Sequence, residues 1–102
     1  MKFTKEQSLQ WRFLNIYYLV NVQSPFLDVL DTRLVIPVTE KSTSGNALTN
    51  LNPIIEIEGI EYILQTQQMA AIHNKNLGPE ICDVSAKRQE ILSAIDFLIT
   101  GF

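Results

Sequence analysis

The segment Pro53-Ile54-Ile55-Glu56-Ile57-Glu58-Gly59-Ile60-Glu61-Tyr62-Ile63-Leu64 constrains this chain most: two β-rich runs are broken once, at Glu58-Gly59. Glycine takes a positive φ without steric cost, and a tight two-residue turn between antiparallel strands needs such a residue. A hairpin is therefore expected at 53–64, and a fold that accepts it must supply a sheet for it to join, because an isolated hairpin is marginal in water.

Two further segments offer that sheet. Residues 17–22 are mostly branched or aromatic and run into Gln23-Ser24-Pro25, where proline removes a donor and ends regular pairing. Residues 33–38 place Leu34, Ile36 and Val38 on one face and Val35 on the other, with Pro37 pointing to a sheet edge or a bulge. A weaker strand signal sits near residues 1–4, followed by a loop over 5–10. Residues 39–52 are rich in Ser, Thr, Asn and Gly and read as a long, mobile surface connection. Residues 67–76 fit a strand or a helical turn equally well, and 74–79 read as loop.

Beyond Asp83 and Ser85, either of which can cap a helix, apolar residues fall at Ile91, Leu92, Ile95, Leu98, Ile99 and Phe102. Spacings of three and four predict a helix with one apolar face, and Gly101 stands where a left-handed residue ends it. Several strands followed by one terminal helix define a small α+β, mostly β fold. At 102 residues with 46% hydrophobic content, the chain is expected to build one core, as a single domain over 1–102.

Composition also narrows the function. No apolar run reaches the roughly 18 residues of a spanning helix, and residues 1–10 lack a signal-peptide core, so a cytoplasmic protein with no membrane partner is expected. A single cysteine, Cys82, fits a reducing compartment and forms no internal disulfide. A net charge of −3 with scattered basic residues leaves no footprint for a phosphate backbone, so direct nucleic-acid binding is not expected.

A search for chemistry returns little. His73 is the only histidine and reads as an ordinary loop residue. Cys82 precedes Asp83, close enough to a helix N-terminus to favour a thiolate, although a free cysteine is more often a small buried hydrophobe. Glu56 and Glu58 share a face by strand alternation, but nothing apolar nearby would raise a carboxyl pKa, and a solvated surface is the plainer reading. Arg33 or Arg88 would be the arginine of a nuclease, yet no base accompanies them. Glycine-rich phosphate loops and metal-ligand spacings do not occur, so catalytic residues, metals and cofactors are all expected to be none.

Asn21-Val22-Gln23-Ser24, then Asp28, then Thr32-Arg33-Leu34-Val35-Ile36-Pro37-Val38, resembles the CcdB family pattern of D-V-Q-S followed by R-x-V-I-P-L. The likeness continues through Leu51-Asn52-Pro53, the hairpin, residues 66–70, and Cys82-Asp83-Val84-Ser85 into the terminal helix. It is weakest over 5–15 and 39–49. The resemblance implies an SH3-like barrel of antiparallel strands with a small extra sheet and a C-terminal helix, an architecture shared with MazF.

It also implies a role. CcdB proteins are homodimeric toxins of bacterial type II toxin–antitoxin modules that bind the DNA gyrase A subunit and trap its cleaved-DNA complex. The family binds gyrase through its C-terminal tip, here Thr100, Gly101 and Phe102, and a CcdA-like antitoxin competes for the surface. Phe26, Leu27 and Asp96 fall on the positions shared by gyrase and antitoxin. The sequence departs from the family where Thr100 replaces a tryptophan, Phe102 a terminal isoleucine, Asn21 the motif aspartate, and Ile72-His73-Asn74 a V-P-V segment. Two alternatives stay open: a diverged, non-poisoning homologue serving as a protein-binding module, and a MazF-like endoribonuclease, since fold alone does not settle function.

Overall fold

A computed structural model describes residues 1–7, 16–43 and 47–101. Seven strands form one antiparallel sheet: β1 (Lys2–Glu6), β2 (Tyr18–Asn21), β3 (Thr32–Glu40), β4 (Ile54–Ile57), β5 (Ile60–Leu64), β6 (Ala70–His73) and β7 (Leu77–Asp83). Among the described residues these are followed by the helix α1 (Arg88–Thr100). The strand order is β4-β5-β3-β2-β1-β7, with β6 joined to β3.

The hairpin forms where its sequence places it, with Glu58 at φ 52° and Gly59 at φ 83°, both left-handed as a two-residue turn demands. Side-chain alternation then sorts the faces. Phe3, Val20, Ile36, Val38, Ile55, Tyr62 and Leu64 lie on one face and form the main core with Val84 and with Ile91 of α1. A smaller cluster of Ile16, Leu19 and Val35 sits apart from it.

The sheet is curled. Strands β1 and β5 are separated by β2 and β3, so a flat sheet would hold them about 14 Å apart. The rings of Phe3 on β1 and Tyr62 on β5 nevertheless lie 5.3 Å apart, and Tyr18 completes the group at 5.1 Å from Phe3 and 5.7 Å from Tyr62. The half-barrel plus terminal helix is the α+β architecture expected. The small extra sheet expected is not separate: β6 belongs to the same sheet, pairing the first half of β3 while β5 pairs its second half.

Three further expectations are corrected here. Of the edge or bulge expected at Pro37, the edge is overturned: Pro37 lies in the centre of the sheet, opposite Leu19 of β2, at a break in the ladder on its other side. Its carbonyl accepts from Gln65 N at 2.9 Å, and the ring nitrogen faces the same way, at the junction where β6 has ended and β5 has not begun. The missing donor is therefore lost where no ladder bond is due. Secondly, β3 runs on to Glu40, so the connection is shorter than 39–52, and Asn52 at its end is buried, donating to Leu64 O at 3.0 Å and Gln67 Oε1 at 2.9 Å. Thirdly, β7 begins at Leu77 and so takes in 77–79, the end of the stretch expected as loop. It pairs β1 through an irregular register, and Gly78 is required there because a Cβ would lie 2.4 Å from Lys5 O.

The ambiguous stretch resolves into a turn at Thr66–Gln68 and strand β6. Asp83 Oδ1 accepts from Ser85 N at 2.6 Å at the turn leading into α1, and Gly101, at φ 79°, closes the helix by donating to Phe97 O at 2.9 Å. Among the described residues no helix is long and apolar enough to cross a membrane.

Candidate functional site

The loop between β2 and β3 is built from its first residues. Asn21 Oδ1 accepts from Gln23 N at 3.0 Å, and Ser24 Oγ accepts from Phe26 N at 3.3 Å, capping the short 3-10 turn Pro25–Leu27. Proline at the first position of that turn needs no donor. Leu27 N then bonds Ser24 O, Asp28 N bonds Pro25 O and Leu30 N bonds Leu27 O, at 3.0–3.2 Å.

Nothing in the turn is buried. Phe26 is 95% exposed, Val29 86%, and Leu27 and Leu30 are about half exposed. Phe26 and Val29 gain almost no burial and Leu27 and Leu30 about half, so none of the four belongs to the core and together they display apolar surface.

The expected residues of α1 are a second group. Asp96, Thr100 and Gly101 are exposed, and Thr100 Oγ1 donates to Asp96 O at 2.7 Å, tying the first two together through the helix backbone. Asp96 stands one turn from the negative end of the helix, and no basic residue occupies the last turn, an arrangement the macrodipole disfavours. Ile91 is buried and Ile95 packs on the core, whereas Ile99 is 71% exposed. A groove of about 630 Å³ runs beside Phe97 and Gly101, bordered across from them by Thr49, Asn50 and Pro53. Phe102 lies outside the described residues. The loop pair, Phe26 and Leu27, and the helix group share no hydrogen bond among the described residues.

The weighed chemical candidates take structural positions. His73 Nδ1 accepts from Lys75 N at 3.1 Å and shapes a turn. Cys82 lies on β7, packed against the main core, and burial first, then the carboxylates of Glu58, Asp83 and Glu80, push its thiol up, away from the thiolate a helix N-terminus would favour. Glu58 sits in the hairpin turn, so Glu56 faces Glu61 across the strands instead, and Glu61 pairs with Lys41 at 3.7 Å. Arg33 is committed to backbone carbonyls: Nη1 donates to Leu30 O at 2.6 Å and Thr32 O at 2.9 Å, and Nη2 to Asp28 O at 3.2 Å. Among the described residues no group of His, Cys, Asp and Glu could hold a metal ion.

Sequence reasoning missed Val29 and Leu30 as exposed apolar residues, and missed what Gln23 and Arg33 do, although both stand inside the motif already singled out.

A curled antiparallel half-barrel followed by a C-terminal helix, with apolar residues exposed on the loop after β2, is the α+β architecture of the described residues. The family model described as CcdB protein matches residues 7–101, and the chain belongs to the CcdB family. It is a toxin of the toxin–antitoxin type.

Proposed function

We propose that this chain is a gyrase poison: it binds the DNA gyrase A subunit through Thr100, Gly101 and Phe102, with Phe26, Leu27 and Asp96 beside that tip, and traps the cleaved-DNA complex. It works as a homodimer in the bacterial cytoplasm and is neutralised by a CcdA-like antitoxin that covers the same surface. The observation that carries this reading is the ordered loop after β2, whose apolar residues are exposed at the positions the family uses for recognition. Asp96 adds to it, since the helix dipole gives its exposed carboxylate no stabilisation there and leaves it open to a contact.

Calorimetric titration against the dimerisation fragment of the host gyrase A subunit tests the proposal, with a chain ending at Ile99 as control. Saturable binding that disappears on truncation is expected; a folded protein that shows no heat of binding sinks it.

A second reading, a diverged homologue that binds a partner without poisoning gyrase, is favoured by one observation. The Thr100 hydroxyl that replaces the family tryptophan is spent on Asp96 O within its own helix, so it offers no aromatic anchor. Binding to a cognate antitoxin with no response to the gyrase fragment is the outcome that selects this reading.

A further inference from the structure

An exposed loop with no buried residue has no hydrophobic reason to hold one shape, and ordering a backbone residue costs roughly 1–2 kcal/mol. The loop at residues 24–31 nevertheless has its backbone tied at three carbonyls, and at a fourth on Thr32 where β3 begins, by two side chains that flank it. Gln23, just after β2, donates from Nε2 to Leu27 O at 3.3 Å and to Thr32 O at 2.9 Å, while its Oε1 accepts from Leu34 N at 3.0 Å. Arg33, on β3, reaches back to Asp28 O, Leu30 O and Thr32 O, and its Nε lies 3.7 Å from Asp28 Oδ1.

Both side chains work from beneath the loop. The Arg33 side chain is only 14% exposed, although the carbonyls it holds belong to an exposed loop. A guanidinium presents its donors in a fixed fork, which suits it to span several carbonyls, and an ammonium cannot reproduce that. Gln23 uses both ends of its amide, so it links the loop to β3 as well as closing it.

We infer that Gln23 and Arg33 are positioning residues of the recognition surface: they set the loop in its binding conformation before a partner arrives, so that Phe26, Leu27 and Val29 are presented as one preformed apolar contact. The inference rests on the gyrase reading for its partner and on the hydrogen bonding for its mechanism. Neither residue touches the partner. Their effect is to remove the ordering cost that a floppy loop would charge at the moment of association.

The test compares the parent chain with Gln23→Ala and Arg33→Ala by amide hydrogen exchange and by titration with the gyrase A dimerisation fragment. Exchange at Leu27, Asp28 and Leu30 is expected to rise about tenfold, while the amide of Leu64, in the sheet, keeps its protection. Affinity is expected to fall about 10- to 100-fold. The Phe26→Ala, Arg33→Ala double variant is expected to lose less than the sum of the two single losses, because Phe26 is one of the side chains that Arg33 positions. Should Arg33→Ala not fold, Arg33→Lys keeps the charge and loses the fork, and carries the same three measurements.

Unchanged exchange in the loop overturns the inference. So does faster exchange with affinity intact, and so do losses that simply add in the double variant, as those of a merely structural residue would. A parent chain that ignores the gyrase fragment defeats the gyrase reading alone, and exchange then decides whether Gln23 and Arg33 order the loop.

Discussion

The main core and the loop after β2 are made of the same kinds of residue and treat them in opposite ways. Phe3, Ile36, Leu64 and Ile91 lose essentially all contact with water, and each stabilises the sheet or seats the helix on it. Phe26 and Val29, equally apolar, remain in solvent, and their loop is held by its own backbone bonds, by the Ser24 cap and by Gln23 and Arg33. Hydrophobic side chains in the first region bind the protein to itself, and in the second they are free to bind something else. The two regions should therefore respond independently to substitution.

The sharpest way to break this comparison is to remove one large apolar group from each. Ile91→Ala is expected to lower unfolding free energy by about 2–5 kcal/mol in urea melts, since the site is fully buried between α1 and the sheet. Phe26→Ala should stay within about 0.5 kcal/mol of the parent in the same melts. It should instead weaken the gyrase fragment by about 2 kcal/mol or more, the loss expected of an aromatic anchor. A Phe26 variant as unstable as Ile91→Ala would mean that the loop belongs to the core after all.

Gly78→Ala probes the sheet where β7 meets β1. Its Cβ would lie 2.4 Å from Lys5 O, a backbone atom that cannot swing aside, and a loss of about 1–3 kcal/mol is expected in thermal or urea melts. Gly59→Ala is milder. Nothing lies within 4 Å of the added carbon, so only the left-handed backbone at φ 83° opposes it, at about 1 kcal/mol. Equal losses at the two glycines would show that close strand approach contributes nothing beyond backbone preference.

The smallest effect is a pH dependence at the surface. The Ser85 hydroxyl and N–H, and then the Lys2 ammonium 3.0 Å away, hold the Asp83 carboxyl well below the usual carboxylate range. A depressed carboxyl contributes stability that is present above its unfolded value of about 4 and is lost as pH falls further. Asp83→Asn should therefore lower stability slightly at neutral pH and flatten the decline between about pH 4 and pH 2. Half of the Asp83 side chain is in solvent, so raising the salt should shrink the difference. The loop after β2 should not notice: partner affinity of Asp83→Asn is expected to match the parent.

What was legible beforehand was what neighbouring residues decide among themselves. Glu58-Gly59 demanded a left-handed turn between two branched runs, the three-and-four spacing from Ile91 onward demanded a helix, and Gly101 demanded its end; all three are where they were expected. The residues around Gln23-Ser24 and Arg33 through Val38 carried the family likeness, which the match over residues 7–101 bears out.

Pairing over long distances decided the rest. Gly78 and Pro79 look like loop because each disfavours a strand alone, yet β1 imposes a strand on them and uses the absent Cβ to approach. Pro37 looks like an edge residue until β3 is seen to change partners beside it. Gln23 and Arg33 look like ordinary polar residues of a motif, and only the folded loop shows their donors closing on carbonyls up to nine residues away. The local pattern of a sequence sets backbone preference and periodicity. Which apolar residue is covered and which is left for a partner depends on where the chain returns, and the tertiary structure alone supplies that.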